Sequence, residues 1–83
     1  MVEKTFTVIG NAGMYARLAS ALVQTATQFD SHISLEFDKK VVNLKSIMGL
    51  MSLGIPKGSI VKVIISGPDE KEAIVGITEV MGK

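Results

Sequence analysis

The sequence predicts a small α+β domain in which helices cover one side of a single antiparallel sheet. Four strand-like patterns and three helix-like patterns share a chain of only 83 residues. Each helix has one apolar stripe, so all three can be buried against the same face of the sheet. The predicted order is βαββαβα, in a single domain over residues 1–83 without a linker or internal repeat.

The composition is that of a soluble globular protein, with 47% hydrophobic residues, 20% charged residues and no cysteine. A formal net charge of +1 is too small to indicate nucleic-acid or membrane binding. The absence of cysteine favours the cytoplasm and excludes thiol chemistry. No apolar run resembles a signal peptide or a membrane span, and we expect no cofactor.

The first half of the chain predicts a strand, a helix and a hairpin. Thr5–Ile9 is β-branched and aromatic, and the turn residues Gly10–Gly13 follow it. A helix is expected from Ala16 to about Phe29. Its apolar stripe is Ala19, Leu22, Val23 and Ala26.

Alternation of apolar and polar residues indicates the next two strands. The first is carried by Ile33, Leu35 and Phe37, and a short strand begins at Val41. The polar turn around Asp38–Lys40 suggests a hairpin, but it lacks an Asn-Gly signal that would fix the register.

The second half predicts a short helix, a strand and a longer helix. Ser46 is a good N-cap for Ile47–Met51, and Gly54 suits the end of that helix. Ser59–Ser66 alternates as a strand. The last helix begins at Asp69 or Glu70, and its apolar stripe is Ala73, Ile74, Ile77, Val80 and Met81. Gly76 lies off that stripe and is expected to cost about 1 kcal/mol relative to alanine.

Two helix starts are candidate functional sites. At Tyr15–Arg17, free N–H groups and an arginine could hold an anion, although Arg17 could equally be a solvated surface residue. Ser46 could be a structural cap or a phosphorylation site, because the helix dipole tolerates a phosphate there.

The residues after Ser46 contain more apolar side chains than a two-turn helix can bury. Met48 and Met51, beside Ile47, could therefore form an exposed docking surface or fill gaps in a small core.

No residue pattern predicts an enzyme. His32 is alone, without metal-ligand spacing, and is expected on the surface beside a strand start. Glu70 and Glu72 are expected on the solvated face of a helix, and no pair of glutamates suggests acid–base catalysis.

The sequence resembles the family of histidine-containing phosphocarrier proteins (HPr), and its Gram-positive branch in particular. The resemblance is carried by "KTF", "GMYARLA", "LVQTA" and above all "VNLKSIMGLMSLGIPKG". It implies an open-faced β-sandwich and a role in the phosphoenolpyruvate-dependent sugar phosphotransferase system. Family members accept phosphate from enzyme I on a histidine and pass it to enzyme IIA components.

The resemblance also implies that the phosphoryl site has changed. Tyr15 stands where the family has its histidine, and Leu18 stands where it has a proline, while Arg17 is kept. A phenol is a poor nucleophile at neutral pH, so the cradle of Tyr15, Ala16 and Arg17 is expected not to relay phosphate.

The second family site is intact in the sequence. In the Gram-positive branch, HPr kinase/phosphorylase modifies the serine that matches Ser46, and the product binds a catabolite control repressor. The implied docking residues are Arg17, Ser20, Ile47, Met48 and Met51. A paralogue class, the catabolite repression HPr (Crh), has likewise lost the histidine and kept the serine.

Three functional hypotheses follow. The first is a regulatory HPr-like protein that is phosphorylated on Ser46 and acts by binding partners in carbon catabolite repression. The second is a phosphocarrier with a substituted or diverged active site, which meets enzyme I and enzyme IIA with impaired transfer. The third is a binding or oligomerising module that uses Met14, Tyr15 and Leu18 as an apolar tip.

Overall fold

The computed structural model describes residues 1–8 and 16–82. Within them lie four strands and three helices in the predicted order βαββαβα. The elements are β1 (Val2–Thr7), α1 (Ala16–Ala26), β2 (His32–Phe37), β3 (Lys40–Asn43), α2 (Ile47–Met51), β4 (Ile60–Ser66) and α3 (Glu70–Met81). The predicted fold class, an open-faced α+β sandwich, is confirmed.

The strands form one antiparallel sheet in the order β1-β4-β2-β3, so the last strand in the chain lies inside the sheet. Val63 of β4 pairs with Lys4 on one side and with Leu35 on the other. Alternate residues of β4 are buried, namely Val61, Val63 and Ile65, and those between them are more exposed. This alternation gives the sheet one apolar face for the helices and one open face.

The core lies between that apolar face and the stripes of the helices. The predicted stripe residues Ala19, Leu22 and Ala26 of α1 are fully buried, as are Ala73 and Ile77 of α3. The sequence-based assignment of the helical faces is therefore confirmed.

Gly76 has a packing role that its sequence position did not indicate. A Cβ added to Gly76 would lie 3.3 Å from two ring carbons of Phe29 and 3.3 Å from Cγ2 of Thr25. The expectation that this glycine only weakens α3 was incomplete, because it also lets α3 lie close against the end of α1.

Two predicted boundaries were wrong by a few residues. The first strand begins at Val2 rather than Thr5. Helix α1 ends at Ala26 rather than near Phe29. A tighter turn follows, in which Phe29 N donates to Ala26 O at 3.2 Å. Such i to i−3 bonds are common where an α-helix ends. The predicted turn Gly10–Gly13 lies outside the described residues.

The hairpin between β2 and β3 has a two-residue turn at Asp38 and Lys39. Their φ angles are 52° and 66°, and Phe37 pairs with Lys40. Positive φ at both central residues matches the twist of the flanking strands, which explains a tight hairpin without an Asn-Gly pair. In the described part of the chain, no helix is long and apolar enough to cross a membrane.

Candidate functional site

Ser46 is the N-cap of α2, as predicted. Its backbone is extended (φ −118°, ψ 113°), and its Oγ accepts a hydrogen bond from Gly49 N at 3.2 Å. The same residue's carbonyl accepts from Leu50 N at 3.1 Å. Ser46 is nevertheless exposed, so its hydroxyl is accessible from solvent while it caps the helix.

The segment that leads into Ser46 is fixed at several points. Leu44 is fully buried, and its N donates to Ile33 O at 2.9 Å. Ser46 N donates to Asn43 O at 3.1 Å, and Lys45 N donates to Asn43 Oδ1 at 2.9 Å. The side chain of Lys45 donates from Nζ to the carbonyl of Phe29 at 2.7 Å.

The apolar side chains of α2 are divided between the core and the surface. Leu50 is fully buried, whereas Ile47 and Met51 are each 40% exposed and Met48 is 81% exposed. The expectation that this helix cannot bury all its apolar residues is confirmed. We call Ile47, Met48 and Met51 the α2 patch.

Helix α1 carries the other predicted site residues. Ala16 and Arg17 are exposed in its first turn, and Ser20 is half-buried one turn further along. Helices α1 and α2 pack against each other, so the two predicted sites belong to neighbouring elements. Tyr15 lies outside the described residues. Among those that are described, no hydrogen bond or ion pair links Arg17 or Ser20 to Ser46.

The proposed apolar tip is only partly within the described chain. Leu18 is half-buried and packs against the core. Met14 and Tyr15 lie outside the described residues.

Asp69 links the start of α3 to the start of β2. Its carboxylate accepts from Asp30 N at 2.8 Å, from Ser31 N at 2.9 Å and from the hydroxyl of Ser31. The Ser31 hydroxyl and the Asp30 N–H lower the pKa of Asp69 below its ordinary value of 3.8. No local pattern could pair these residues, because they are far apart in sequence.

The expectation that Glu70 lies on the solvated face of a helix was wrong. Its Oε2 lies 2.9 Å from the α-amino group of Met1, and its Oε1 accepts from Gly67 N at 3.2 Å. The hydrogen bond from the α-amino group lowers the pKa of Glu70. Glu72 is exposed as expected, and His32 is exposed at the first position of β2. In residues 1–8 and 16–82, no group of side chains could hold a metal ion.

The protein thus combines an open antiparallel sheet with a second helix whose N-cap serine is exposed. A family model for the phosphorylation site of the phosphotransferase-system HPr component matches residues 2–83. The chain belongs to the HPr family.

Solved structures of this family superpose closely on the chain. HPr-C-His from Thermoanaerobacter tengcongensis is 45% identical, with a TM-score of 0.95 and coverage of 99% of this chain and 92% of that one. The phosphocarrier protein HPr from Bacillus anthracis is 40% identical, with a TM-score of 0.89 and coverage of 96% and 95%.

The comparison extends to the Crh class. Crh from Bacillus subtilis is 43% identical, with a TM-score of 0.77 and coverage of 99% of this chain and 94% of that one. That structure is an intertwined dimer with a swapped domain. The chain is thus similar both to phosphocarriers and to a catabolite repression protein.

Proposed function

We propose that this member of the HPr family is a regulatory protein of the cytoplasm. It is phosphorylated on Ser46 by HPr kinase/phosphorylase, here called the HPr serine kinase, and it then binds a catabolite control repressor. The observation that carries the proposal is the exposed Ser46 hydroxyl beside the exposed α2 patch.

The position of Ser46 suits a phosphate. The free N–H groups of the first turn of α2 point toward the cap, and the positive end of the helix dipole stabilises negative charge. A phosphoryl group would bring about two negative charges to that position without having to enter the core. The modification therefore changes the surface charge while the fold can stay as it is.

The α2 patch suits a protein partner. Methionine side chains adapt their shape to an apposed surface, and Met48 has almost no contact with its own core. A phosphate beside such a patch forms a surface that is apolar and charged at once, with Arg17 and Ser20 on the neighbouring helix. We assign the repressor to this composite surface.

The phosphorelay is the function that we expect to be lost. The resemblance places Tyr15 where the family has its phosphohistidine. At neutral pH a phenol is almost fully protonated, whereas a neutral imidazole has a free nitrogen lone pair. Arg17 remains exposed in the first turn of α1, which favours the second candidate, a phosphocarrier with impaired transfer between enzyme I and enzyme IIA.

The third candidate, an oligomerising module, draws support from the intertwined dimer of Crh from Bacillus subtilis. Light scattering of the wild type and of Tyr15→Ala checks it. An unchanged monomer mass in both samples would remove this candidate.

The proposed function is tested by paired phosphorylation assays. One aliquot receives enzyme I and phosphoenolpyruvate, and the other receives the HPr serine kinase and ATP. We expect acid-stable phosphate on Ser46 in the second aliquot and none on the protein in the first. Tyr15→His is the matched control, since it should gain acid-labile phosphate from enzyme I. Acid-labile phosphate on the wild type would instead support the second candidate.

A further inference from the structure

We infer that Lys45 is a positioning residue for the modification of Ser46, acting by anchoring the segment before the serine to the end of α1. This inference rests on the proposed function. In the reaction, a bond forms between Ser46 Oγ and the γ-phosphorus of ATP, and the bond from that phosphorus to the β,γ-bridging oxygen breaks. ADP leaves, and the hydroxyl proton passes to the kinase.

The first observation is the direction of the Lys45 side chain. Its Nζ donates to Phe29 O at 2.7 Å, in a partly buried hydrogen bond between residues 16 positions apart. Phe29 lies three residues beyond the end of α1 at Ala26, in the turn that follows the helix. A hydrogen bond from a charged ammonium group to a backbone carbonyl is stronger than one between neutral groups, so it holds the segment before Ser46 to that turn.

The second observation is that Lys45 is anchored by its backbone as well as by its side chain. Its N donates to Asn43 Oδ1 at 2.9 Å, and the peptide on either side of it is also held. Leu44 N donates to Ile33 O, and Ser46 N donates to Asn43 O. Lys45 therefore connects the cap of α2 to the end of β3 through its backbone, and to the turn after α1 through its side chain.

The third observation concerns the state of the Ser46 hydroxyl. Its oxygen already accepts from Gly49 N at 3.2 Å, so one lone-pair direction faces the helix and another is left to attack phosphorus. A shift of the Lys45 peptide would turn that oxygen relative to the incoming phosphoryl group. Because a small misplacement of a reacting atom costs rate rather than affinity, loss of the anchor should lower kcat and leave KM almost unchanged.

A charge-recognition role for Lys45 makes the opposite prediction. If the kinase bound the ammonium group directly, removal of that group would raise KM. Lys40 provides the matched control, because it is an exposed lysine on the adjacent strand whose side chain makes none of the described hydrogen bonds. Asn43→Ala is a second test variant. It removes the side-chain acceptor of Lys45 N without changing the charge of the protein.

The test is steady-state phosphorylation of Ser46 by the HPr serine kinase and ATP, at a temperature where every variant is folded by circular dichroism. We expect kcat to fall about tenfold in Lys45→Met, with KM changed by less than about twofold. Lys45→Arg should recover to within about twofold of the wild type, because a guanidinium can donate to the same carbonyl. Asn43→Ala should show a smaller fall in kcat, and Lys40→Met should match the wild type.

Amide hydrogen exchange supplies a second measurement that needs no kinase. In Lys45→Met the Gly49 amide should exchange faster than in the wild type or in Lys40→Met, because the cap it donates to is less firmly held. An unchanged kcat in Lys45→Met, a rise in KM alone, or an unchanged Gly49 exchange rate would each overturn the inference. If the wild type takes no phosphate at all, the proposed function itself fails, and the inference falls with it.

Discussion

Two serines of this protein are used in opposite ways. Ser31 is 1% exposed, and both its N–H and its hydroxyl are bonded to Asp69. Ser46 is exposed, and its Oγ accepts one hydrogen bond, from Gly49 N of α2. Ser31 is therefore buried and fully used in structural hydrogen bonds, whereas Ser46 is fixed in position but exposed to solvent. The difference indicates where chemistry can occur without unfolding the protein.

Gly67→Ala should disrupt the packing around Ser31 and have the largest effect on stability. A Cβ on Gly67 would lie 2.6 Å from both Cα and Oγ of Ser31, and its φ of +155° disfavours other residues. We expect a loss of about 3 kcal/mol or more in the free energy of unfolding, measured with urea. Gly58→Ala is the control, because its φ is also positive but no atom lies within 4 Å. A loss no greater than that of Gly58→Ala would contradict the close contact.

The hydrogen bonds between Asp69 and Ser31 should also be sensitive to acid. The pKa of Asp69 is lowered in the folded protein, so its stabilising effect is present at neutral pH. That effect is lost as the pH falls below the ordinary value of 3.8 and through the lowered folded value. Asp69→Asn should be less stable than the wild type at pH 7, and the difference should shrink on acidification. Urea midpoints measured between pH 7 and pH 2 check this, and a constant difference would argue against it.

By contrast, Ser46→Ala should have a moderate effect on stability. It removes the cap of α2 and should cost about 1 kcal/mol of unfolding free energy. Ser46→Asp keeps an acceptor at the cap and should remain within about 0.5 kcal/mol of the wild type. Thermal unfolding of the two variants measures the contribution of the cap, because both lack the serine hydroxyl and only Ser46→Asp keeps an acceptor there. A destabilised Ser46→Asp would mean that the cap does not accept a carboxylate.

The smallest effect on stability is expected at the α2 patch. Met48→Ser should change the unfolding free energy by less than about 0.5 kcal/mol, because the side chain is 81% exposed. It should nevertheless weaken binding of the phosphorylated protein to the catabolite control repressor by at least about tenfold. Calorimetric titration measures the binding. Undiminished affinity would place the partner on a different surface.

The two serine sites also differ in how far the sequence predicts them. The cap at Ser46 and the exposure of Met48 follow from local rules, because both depend on residues within one short helix. The bond between Asp69 and Ser31 depends on which strand ends meet, and residues 38 positions apart carry no local signal of that. Gly76 shows the same limit, since its role appears only when α3 lies against Phe29.

The proposed regulatory role rests on one claim, that this HPr-family member takes phosphate on Ser46. The most direct measurement is the intact mass of the protein after incubation with the HPr serine kinase and ATP, followed by peptide mapping. We predict one added phosphoryl group, mapped to Ser46 and absent from Ser46→Ala. An unchanged mass of the wild type, in a reaction where a phosphocarrier HPr with the same serine is fully modified, would contradict the claim.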